Sequence, residues 1–276
     1  MTHTSAKIAL VTGASSGIGK VIAKRLIEDG LSVIVAARSF DKMADLAALG
    51  AHRLRLDVAD EASIQSAVNE IITTYNGVDV LVNNAGFGCY GAVEDTSIDD
   101  ARYQFEVNLF GLARLTQLLL PKMREKGAGK IINISSMGGK MYTPLGAWYH
   151  ASKHALEGWS DCLRLELAQF GIDVVIIEPG AIETEFGDVM ATPMLERSGS
   201  GAYAEMAQTM AKATQESYKP GNGSPPSVIA DVVSSAIKAR KPKTRYAAGK
   251  FAKPMILIRT WLGDRIFDRV VMSMVK

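Results

Sequence analysis

Short runs of β-branched and apolar residues alternate with longer amphipathic stretches over the first two thirds of the chain. Several of the short runs are apolar throughout, which is typical of strands buried on both faces of a parallel sheet. The alternation of strand and helix predicts a single-domain α/β protein with a doubly wound parallel sheet and right-handed crossovers. The predicted strands are 8–12, 32–37, 52–56, 78–82, 130–135 and 173–178, and the predicted helices are 18–29, 61–75, 101–126 and 147–170.

The pattern changes after residue 179. Residues 180–226 are rich in Met, Gly and Ser and contain one predicted helix near 202–217. A long irregular insertion in a compact domain is usually functional, so we expect a lid here. Apolar residues recur every four positions over 256–274, which predicts an amphipathic helix. The expected organisation is one domain, 1–250, that includes the lid at 180–226, followed by a helical extension at 251–276.

Composition excludes several classes of protein. The 276 residues are 47% hydrophobic and 22% charged, which excludes disordered and collagen-like chains. No run of apolar residues is long enough to span a membrane, and the first residues lack a secretory signal. The two cysteines, Cys89 and Cys162, form neither a disulfide framework nor a metal motif. We therefore expect a cytoplasmic protein without a metal site.

The charge is unevenly distributed. Residues 238–276 hold 11 Lys and Arg against 2 Asp and Glu, a net charge of +9, although the whole chain carries only +2. The preceding residues therefore carry −7. A basic and apolar tail on an acidic body predicts an interaction surface at the C-terminal end.

Three glycines follow the first predicted strand where a helix begins: Gly13, Gly17 and Gly19. Glycines in such a turn let the backbone approach a pyrophosphate, whose charge is stabilised by the helix N-terminus. A turn without this role would not require three glycines placed in this way. The turn predicts nucleotide binding, and its other candidate contacts are Ser15, Ser16 and Ile18.

With this turn, the chain resembles the short-chain dehydrogenases/reductases over residues 5–240. The resemblance rests on motifs in the expected order: Asp57-Val58, Asn83-Asn84-Ala85-Gly86, Asn108, Ser136, Tyr149-x3-Lys153, and Pro179-Gly180 with Thr184. It implies a Rossmann-like fold, a nicotinamide dinucleotide cofactor and an oxidoreductase of the carbonyl reductase or alcohol dehydrogenase type. By the same resemblance Asp57 and Val58 contact adenine, and 83–86 support the sheet and line the ribose. The remaining cofactor contacts that the resemblance implies are Pro179, Gly180, Ile182 and Thr184, of which Thr184 would contact the amide of the nicotinamide.

The pair Tyr149 and Lys153 is separated by four residues, which places both side chains on one helix face. A free tyrosine has a pKa of about 10, and a neighbouring ammonium and a cationic nicotinamide should lower it. Tyr149 would then exchange a proton with the substrate oxygen. The resemblance assigns Ser136 to hydrogen-bond that oxygen and Asn108 to hold a water beside the lysine. The alternative for the pair is a surface Tyr–Lys contact without catalytic function.

The cofactor preference depends on the end of the second strand. NAD-selective folds place a carboxylate there, whereas this chain has Arg38 and Ser39. An arginine suits a 2′-phosphate, so Arg38, Ser39 and Ser15 predict NADP(H). The alternative is a solvated Arg38 and a mixed preference.

Apolar and aromatic residues are expected to form the substrate pocket, with neither arginine nor carboxylate directed into it. A hydrophobic ketone, aldehyde or secondary alcohol is therefore the expected substrate. Two alternatives are a nucleotide sensor without turnover and an isomerase or dehydratase on the same fold. The candidate substrate contacts are Ser136, Met137, Tyr142, Phe186 and Met190, with Phe87, Cys89, Tyr90, Leu145 and Met194 as further candidates for its wall.

The basic tail weakly resembles the C-terminal part of the hydroxysteroid and retinol dehydrogenase branch. It could cover the pocket, contact a subunit or lie on an anionic membrane. A basic helix packed on the domain by its apolar stripe is the simpler alternative. The motifs give no support for nucleic-acid binding. Family members are commonly dimers or tetramers through helices equivalent to 101–126 and 147–170, so the resemblance implies a homo-oligomer.

Overall fold

A computed structural model describes residues 6–273. Its centre is one parallel sheet of seven strands in the order β3-β2-β1-β4-β5-β6-β7. All strands are parallel, and the strand order reverses between β1 and β4, as in a doubly wound Rossmann-like sheet and as predicted. The strands are β1 (Ile8–Thr12), β2 (Ser32–Ala37), β3 (His52–Arg55), β4 (Val80–Asn83), β5 (Gly129–Ile134), β6 (Ile172–Pro179) and β7 (Arg245–Ala248).

Helices cover both faces of the sheet. Two separate apolar cores result: one beneath α1 and α9, the other beneath α3, α5 and α6. Central strands such as β4 are buried along their whole length, which explains their continuous apolar runs. The helices are α1 (Gly17–Glu28), α2 (Ala44–Ala48), α3 (Glu61–Tyr75), α4 (Ile98–Phe105), α5 (Gly111–Lys126), α6 (Ala147–Leu167), α7 (Phe186–Ser198), α8 (Ala204–Tyr218), α9 (Ser227–Lys238), α10 (Ala252–Leu262) and α11 (Asp264–Ser273).

Strand β7 lies inside the stretch that the charge pattern assigned to a basic tail. It extends the sheet beside β6, with Ile176 opposite Arg245. The strand is short, and its sequence Arg-Tyr-Ala-Ala has no apolar run. It was not predicted because its pairing with β6 depends on a partner far away in the sequence.

The lid also contains more structure than predicted. Two helices, α7 and α8, form an antiparallel pair where one helix near 202–217 was expected. Helix α7 contains Pro193 and a glycine at its second position, both of which weaken a sequence signal for a helix. The pair and the main body share one small buried cluster, which joins Met190, Met194 and Met210 to Tyr149 of α6.

The C-terminal extension is two helices instead of the single one expected. Gly263 separates α10 from α11 with a backbone φ of 74°, a left-handed value that favours glycine. The buried side chains of the pair, Met255, Phe267 and Val271, contact Met141 on the main body. Met274, which the periodicity included, lies outside the described residues. No helix within 6–273 is long and apolar enough to cross a membrane.

Candidate active site

The glycine turn forms a close contact between β1, α1 and β4. Gly13 has a φ of 66°, and a Cβ built on it would lie 2.9 Å from the Cα of Ala85. A Cβ on Gly19 would lie 2.3 Å from Nδ2 of Asn84 and 2.5 Å from the carbonyl oxygen of Gly13. These positions therefore require glycine, and the backbone is left open towards the N-terminus of α1.

The motif at the end of β4 holds that turn in place. Nδ2 of Asn84 donates to the carbonyl oxygen of Thr12 at 2.9 Å, and the hydroxyl of Thr12 accepts from the backbone N–H of Asn84 at 3.0 Å. Its neighbour Asn83 donates to Asn133 at 2.9 Å inside the sheet. The expected sheet-supporting role of this motif is thus visible as buried hydrogen bonds between strands.

Ser136 follows β5 and begins a short 3₁₀ turn. Its hydroxyl accepts from the backbone N–H of Gly138 at 3.0 Å, which orients the side chain. His150 fixes the loop that follows: one ring nitrogen lies 2.9 Å from the carbonyl oxygen of Gly138, and the other accepts from the N–H of Thr143 at 3.1 Å. Burial lowers the pKa of His150 to about 4, so the ring is neutral and serves as a structural link.

The Tyr149 phenol is buried among aromatic rings. Tyr90 lies 5.5 Å and Phe186 6.1 Å from its ring centre. Burial raises the pKa of Tyr149 to about 12, and a hydrogen bond with Ser136 offsets part of this effect. In the protein without its cofactor, removal from water therefore outweighs the favourable contacts of the phenolate. The lowering expected with a cationic nicotinamide stays a prediction.

Lys153 lies one turn further along α6 and is also buried. Its ammonium group donates to the carbonyl oxygen of Ile134 at 2.9 Å. Burial lowers the pKa of Lys153 to about 8, while Glu157 opposes the shift. The lysine is therefore held by the backbone of β5 and is not a snorkelling surface residue.

Asn108 lies in a π-helical segment, Glu106–Phe110, which interrupts the predicted helix 101–126. Its side-chain amide donates to the carbonyl oxygen of Phe87 at 3.0 Å and accepts from the Phe87 N–H at 3.1 Å. A Cβ on Gly86 would lie 3.1 Å from Oδ1 of Asn108 and 3.8 Å from Nζ of Lys153. The asparagine and the lysine thus approach the same point from two helices.

One cleft, which encloses about 990 Å³ with its open mouth, brings most of the predicted residues together. It lies at the carboxyl ends of the central strands, where ligands bind in open α/β sheets. The predicted residues that line it are Gly13, Ser16, Gly17, Ile18, Gly19, Asn84, Ala85, Gly86, Ser136, Tyr149, Lys153, Pro179, Gly180, Ile182, Thr184 and Phe186.

The residues assigned to the adenosine end lie beyond this lining. Arg38 donates to the hydroxyl of Tyr103 at 3.1 Å, and Ser39 precedes a short 3₁₀ turn. Asp57 accepts from the N–H of Ala59 at 3.0 Å. Val58 and Ser15 are also absent from the lining, so the adenosine contacts of all five stay predictions.

Three predicted substrate contacts lie elsewhere. Met137 and Tyr142 pack against the C-terminal helices α10 and α11, and Met190 is buried within the lid cluster. The candidate wall residues Tyr90, Leu145 and Met194 belong to that same cluster, and Cys89 is buried apart from the cleft.

Sequence reasoning missed three residues of the lid that line the cleft: Glu185, Val189 and Tyr218. Glu185 corrects the expectation that no carboxylate lines the pocket. Tyr218 packs against Phe186, with ring centres 6.0 Å apart. Its position at the end of the helix predicted near 202–217 was the one available signal for an aromatic wall residue.

The cleft fits a dinucleotide. Ser16 at the start of α1 makes no side-chain hydrogen bond to the helix, and the first turn contains no acidic residue. The first N–H groups of α1 are therefore available to an anion at the glycine turn. Within 6–273 no group of three or more His, Cys, Asp or Glu has the geometry of a metal site.

Two curated relatives match the chain over nearly its whole length. An NADPH-dependent 3-dehydrocapnine reductase from Ornithobacterium rhinotracheale is 36% identical over 95% of this chain and 96% of its own. A 3-ketodihydrosphingosine reductase from Bacteroides thetaiotaomicron is 33% identical over 95% of each chain.

Three solved structures are also similar to the chain over most of its length. A short-chain dehydrogenase from Streptomyces avermitilis superposes with a TM-score of 0.83 at 37% identity, over 98% of this chain and 99% of its own. A serine dehydrogenase complexed with NADP+ matches at a TM-score of 0.74 and 28% identity, over 86% and 92% of the two chains. A short chain dehydrogenase/reductase from Burkholderia phymatum in complex with NAD matches at a TM-score of 0.78 and 25% identity, over 93% of this chain and 92% of its own.

The sequence profile of the short chain dehydrogenase family matches residues 7–193, a span that contains the glycine turn and all four predicted catalytic residues. Together with the parallel sheet and the cleft at its carboxyl edge, this match establishes that the chain belongs to the short-chain dehydrogenase/reductase family of oxidoreductases.

Proposed function

We propose that the protein is an NADP(H)-dependent reductase of hydrophobic ketones or aldehydes, which also oxidises the corresponding secondary alcohols. The observation that carries the proposal is the meeting of Ser136, Tyr149 and Lys153 with the glycine turn in one cleft. When bound, the nicotinamide supplies or accepts the hydride. The glycine turn would hold its pyrophosphate, with Asn84, Gly86 and Thr184 along the ribose and amide.

The chain's own residues manage the proton and the orientation of the substrate. Ser136 hydrogen-bonds the carbonyl oxygen, and Tyr149 donates a proton to the developing alkoxide. With a pKa of about 12 the phenol keeps its proton at neutral pH, which suits reduction. Solvent would resupply that proton through a water held by Asn108 and through Lys153.

The size and walls of the cleft support an apolar substrate. Phe87, Phe186 and Val189 contribute hydrocarbon surface near Tyr149. Two full-length relatives are named as reductases of a 3-keto and a 3-dehydro compound, which supports a ketone as the substrate.

The test of the proposed function is the initial rate of NADPH and NADH consumption over ketones graded from small keto esters to long-chain ketones. Turnover with none of them would favour the nucleotide sensor.

The preference for NADP(H) makes Arg38→Gln a specific test. The side chain lies at the end of β2, and loss of a charge-assisted contact with a 2′-phosphate should lower kcat/KM for NADPH by roughly 10- to 100-fold. The value for NADH should change little, because NADH has no such phosphate. Arg102→Gln is the control: this arginine is exposed on the neighbouring helix, and within 6–273 its one ion pair is with Asp99. Equal losses with both cofactors would indicate the mixed preference instead.

We also propose that the protein is a homo-oligomer. Phe110, which precedes α5, is 55% exposed, and Leu165 on α6 is 72% exposed. These apolar side chains lie on the two helices through which the family resemblance implies association. Light scattering coupled to size-exclusion chromatography tests this, since Leu165→Glu should lower the molar mass. A monomeric wild-type protein would contradict it.

A further inference from the structure

The C-terminal helix pair, α10 and α11, has apolar residues on both of its sides. Its inner side, with Met255 and Phe267, is buried against the main body. On α10, Leu257 and Trp261 lie one helical turn apart on the opposite, outer side and are 55% and 78% exposed. Leu262, next to them, is 51% exposed. We call Leu257, Trp261 and Leu262 the apolar ridge.

The ridge is unusual for this protein. Of the large apolar side chains that the structure describes, Trp261 is the most exposed. A helix that only packs on its own domain carries polar residues on its outer face. The inner contacts of α10 do not need the ridge, because Met255 and Arg259 already hold the helix, the latter with its guanidinium 5.2 Å from the centre of the Tyr142 ring. The ridge therefore faces an external partner.

Basic residues border the ridge. On α11, Arg265 and Arg269 lie on the exposed side, and neither forms an ion pair within the described part of the chain. Lys253 on α10 is exposed in the same way. The two acidic residues of the pair are also exposed, but each has a partner: Asp264 binds Arg259 at 2.8 Å, and Asp268 accepts from the Tyr142 hydroxyl at 2.8 Å. With four basic residues against two acidic ones over 252–273, the net charge beside the ridge is positive.

We propose that the apolar ridge docks on an anionic phospholipid bilayer. Tryptophan and leucine enter the boundary between headgroups and acyl chains, while arginine and lysine beside them attract phosphate. The charge distribution fits, since residues 251–276 hold five Lys and Arg against two Asp, a net charge of +3, whereas the preceding residues carry −1. The helix pair is therefore the part of the chain that an anionic surface attracts. The chain would bind on the surface without spanning it.

Docking would also place the catalytic cleft close to lipid. The inner side of the helix pair contacts Met137, which directly follows Ser136. An apolar substrate dissolved in the bilayer would then have a short path to the cleft. This consequence rests on the proposed function, whereas the docking itself does not and can be measured without turnover.

Vesicle flotation of the full-length protein tests the proposal. We expect binding to vesicles of phosphatidylcholine mixed with phosphatidylglycerol, and weak binding to phosphatidylcholine alone. Leu257→Glu/Trp261→Glu and Arg265→Glu/Arg269→Glu should each lower the partition coefficient by at least about ten-fold. Val93→Glu, which changes an apolar side chain 61% exposed elsewhere on the surface, should bind as the wild type does.

Two further measurements separate docking from other outcomes. Trp261 emission should shift to the blue with anionic vesicles, and Trp261→Phe should still float but lose most of that shift. Circular dichroism and thermal unfolding show that each variant is folded, independently of any turnover. No binding of the wild type to anionic vesicles, or equal binding of all variants, would overturn the proposal. A second outcome would also overturn it: the wild type binds no vesicles, and a ridge variant differs from the wild type in molar mass. That result would identify the ridge as a subunit contact.

Discussion

Tyr149→Phe should abolish turnover while leaving the protein folded and able to bind its cofactor. Removal of a general acid typically lowers kcat by about 10²- to 10⁴-fold. The ring itself should keep its place, because its neighbours Tyr90 and Phe186 contact it as an aromatic surface. The loss should therefore fall on kcat, with little change in the dissociation constant of NADPH.

Tyr90→Phe is the matched control for this variant. Tyr90 is likewise a buried phenol whose pKa burial raises well above its usual value, and its ring lies 5.5 Å from that of Tyr149. It does not line the cleft, so deletion of its hydroxyl should change kcat far less. Initial rates, fluorescence titration with NADPH and thermal unfolding of both variants complete the comparison. Full activity in Tyr149→Phe would remove the proposed proton transfer and return the nucleotide sensor or an isomerase to consideration.

Much of this site is predictable from sequence because its signals are local. The spacing of the glycines lies within one strand, one turn and one helix, although some of the contacts that require glycine there come from Asn84 and Ala85. The four-residue spacing of Tyr149 and Lys153 likewise fixes their common helix face. The order of such motifs along a repeated strand–helix pattern then places them at one edge of the sheet.

The electrostatics of the site were not predictable in the same way. The pKa of Tyr149 depends on how completely the phenol is removed from water, and its neighbours come from the β4–α4 loop and the lid. Tyr218, which comes from the lid, also lines the cleft, and its place there likewise depends on the folded arrangement of distant segments. Burial is a property of the assembled fold, and sequence spacing alone does not report it.

The ion pairs of Arg245 were also not predictable from the sequence around it. Its sequence context indicated a solvated basic tail, yet it lies in β7 and binds carboxylates of α6 and β6. Nε of Arg245 is 3.0 Å from Glu157 and 3.5 Å from Glu178, and the guanidinium also binds Asp161. Lys140, just after the Ser136 turn, is 3.1 Å from Glu157. The cluster thereby joins the segments that carry Ser136, Lys153 and Pro179.

Arg245→Met should lower the free energy of unfolding by about 3 kcal/mol or more at pH 8. Removal of one partner leaves buried charge uncompensated, and such losses are typically about 3–5 kcal/mol. The carboxylates of Glu157 and Glu178 are only 4% and 5% exposed, and one oxygen of each already lacks a hydrogen-bond partner. Arg164→Met is the control: this arginine is also 28% exposed but, among the residues that the structure describes, forms an ion pair with Asp161 alone, so its loss should stay below about 1 kcal/mol.

The loss in Arg245→Met should be smaller at pH 5 than at pH 8. Burial and the nearby Glu157 raise the pKa of Glu178 from about 4.5 to about 7, so folding favours its protonated form. The stability that this carboxyl contributes is thus present at low pH and is lost as the pH rises from about 4.5 through about 7. At pH 5 Glu178 is neutral and needs no arginine, whereas at pH 8 it is ionised.

Glu178→Gln separates charge from packing in this cluster. In the Arg245→Met background it should restore part of the lost stability at pH 8 and little at pH 5, because it removes the titrating charge and keeps the shape of the side chain. Alone, it should flatten the fall in wild-type stability between these pH values. Urea unfolding of the wild type, the two single variants and the double variant at both pH values measures the free energy of unfolding of each protein. Equal losses at pH 5 and pH 8 without restoration would mean that Arg245 acts through the packing of β7 and not through its charge.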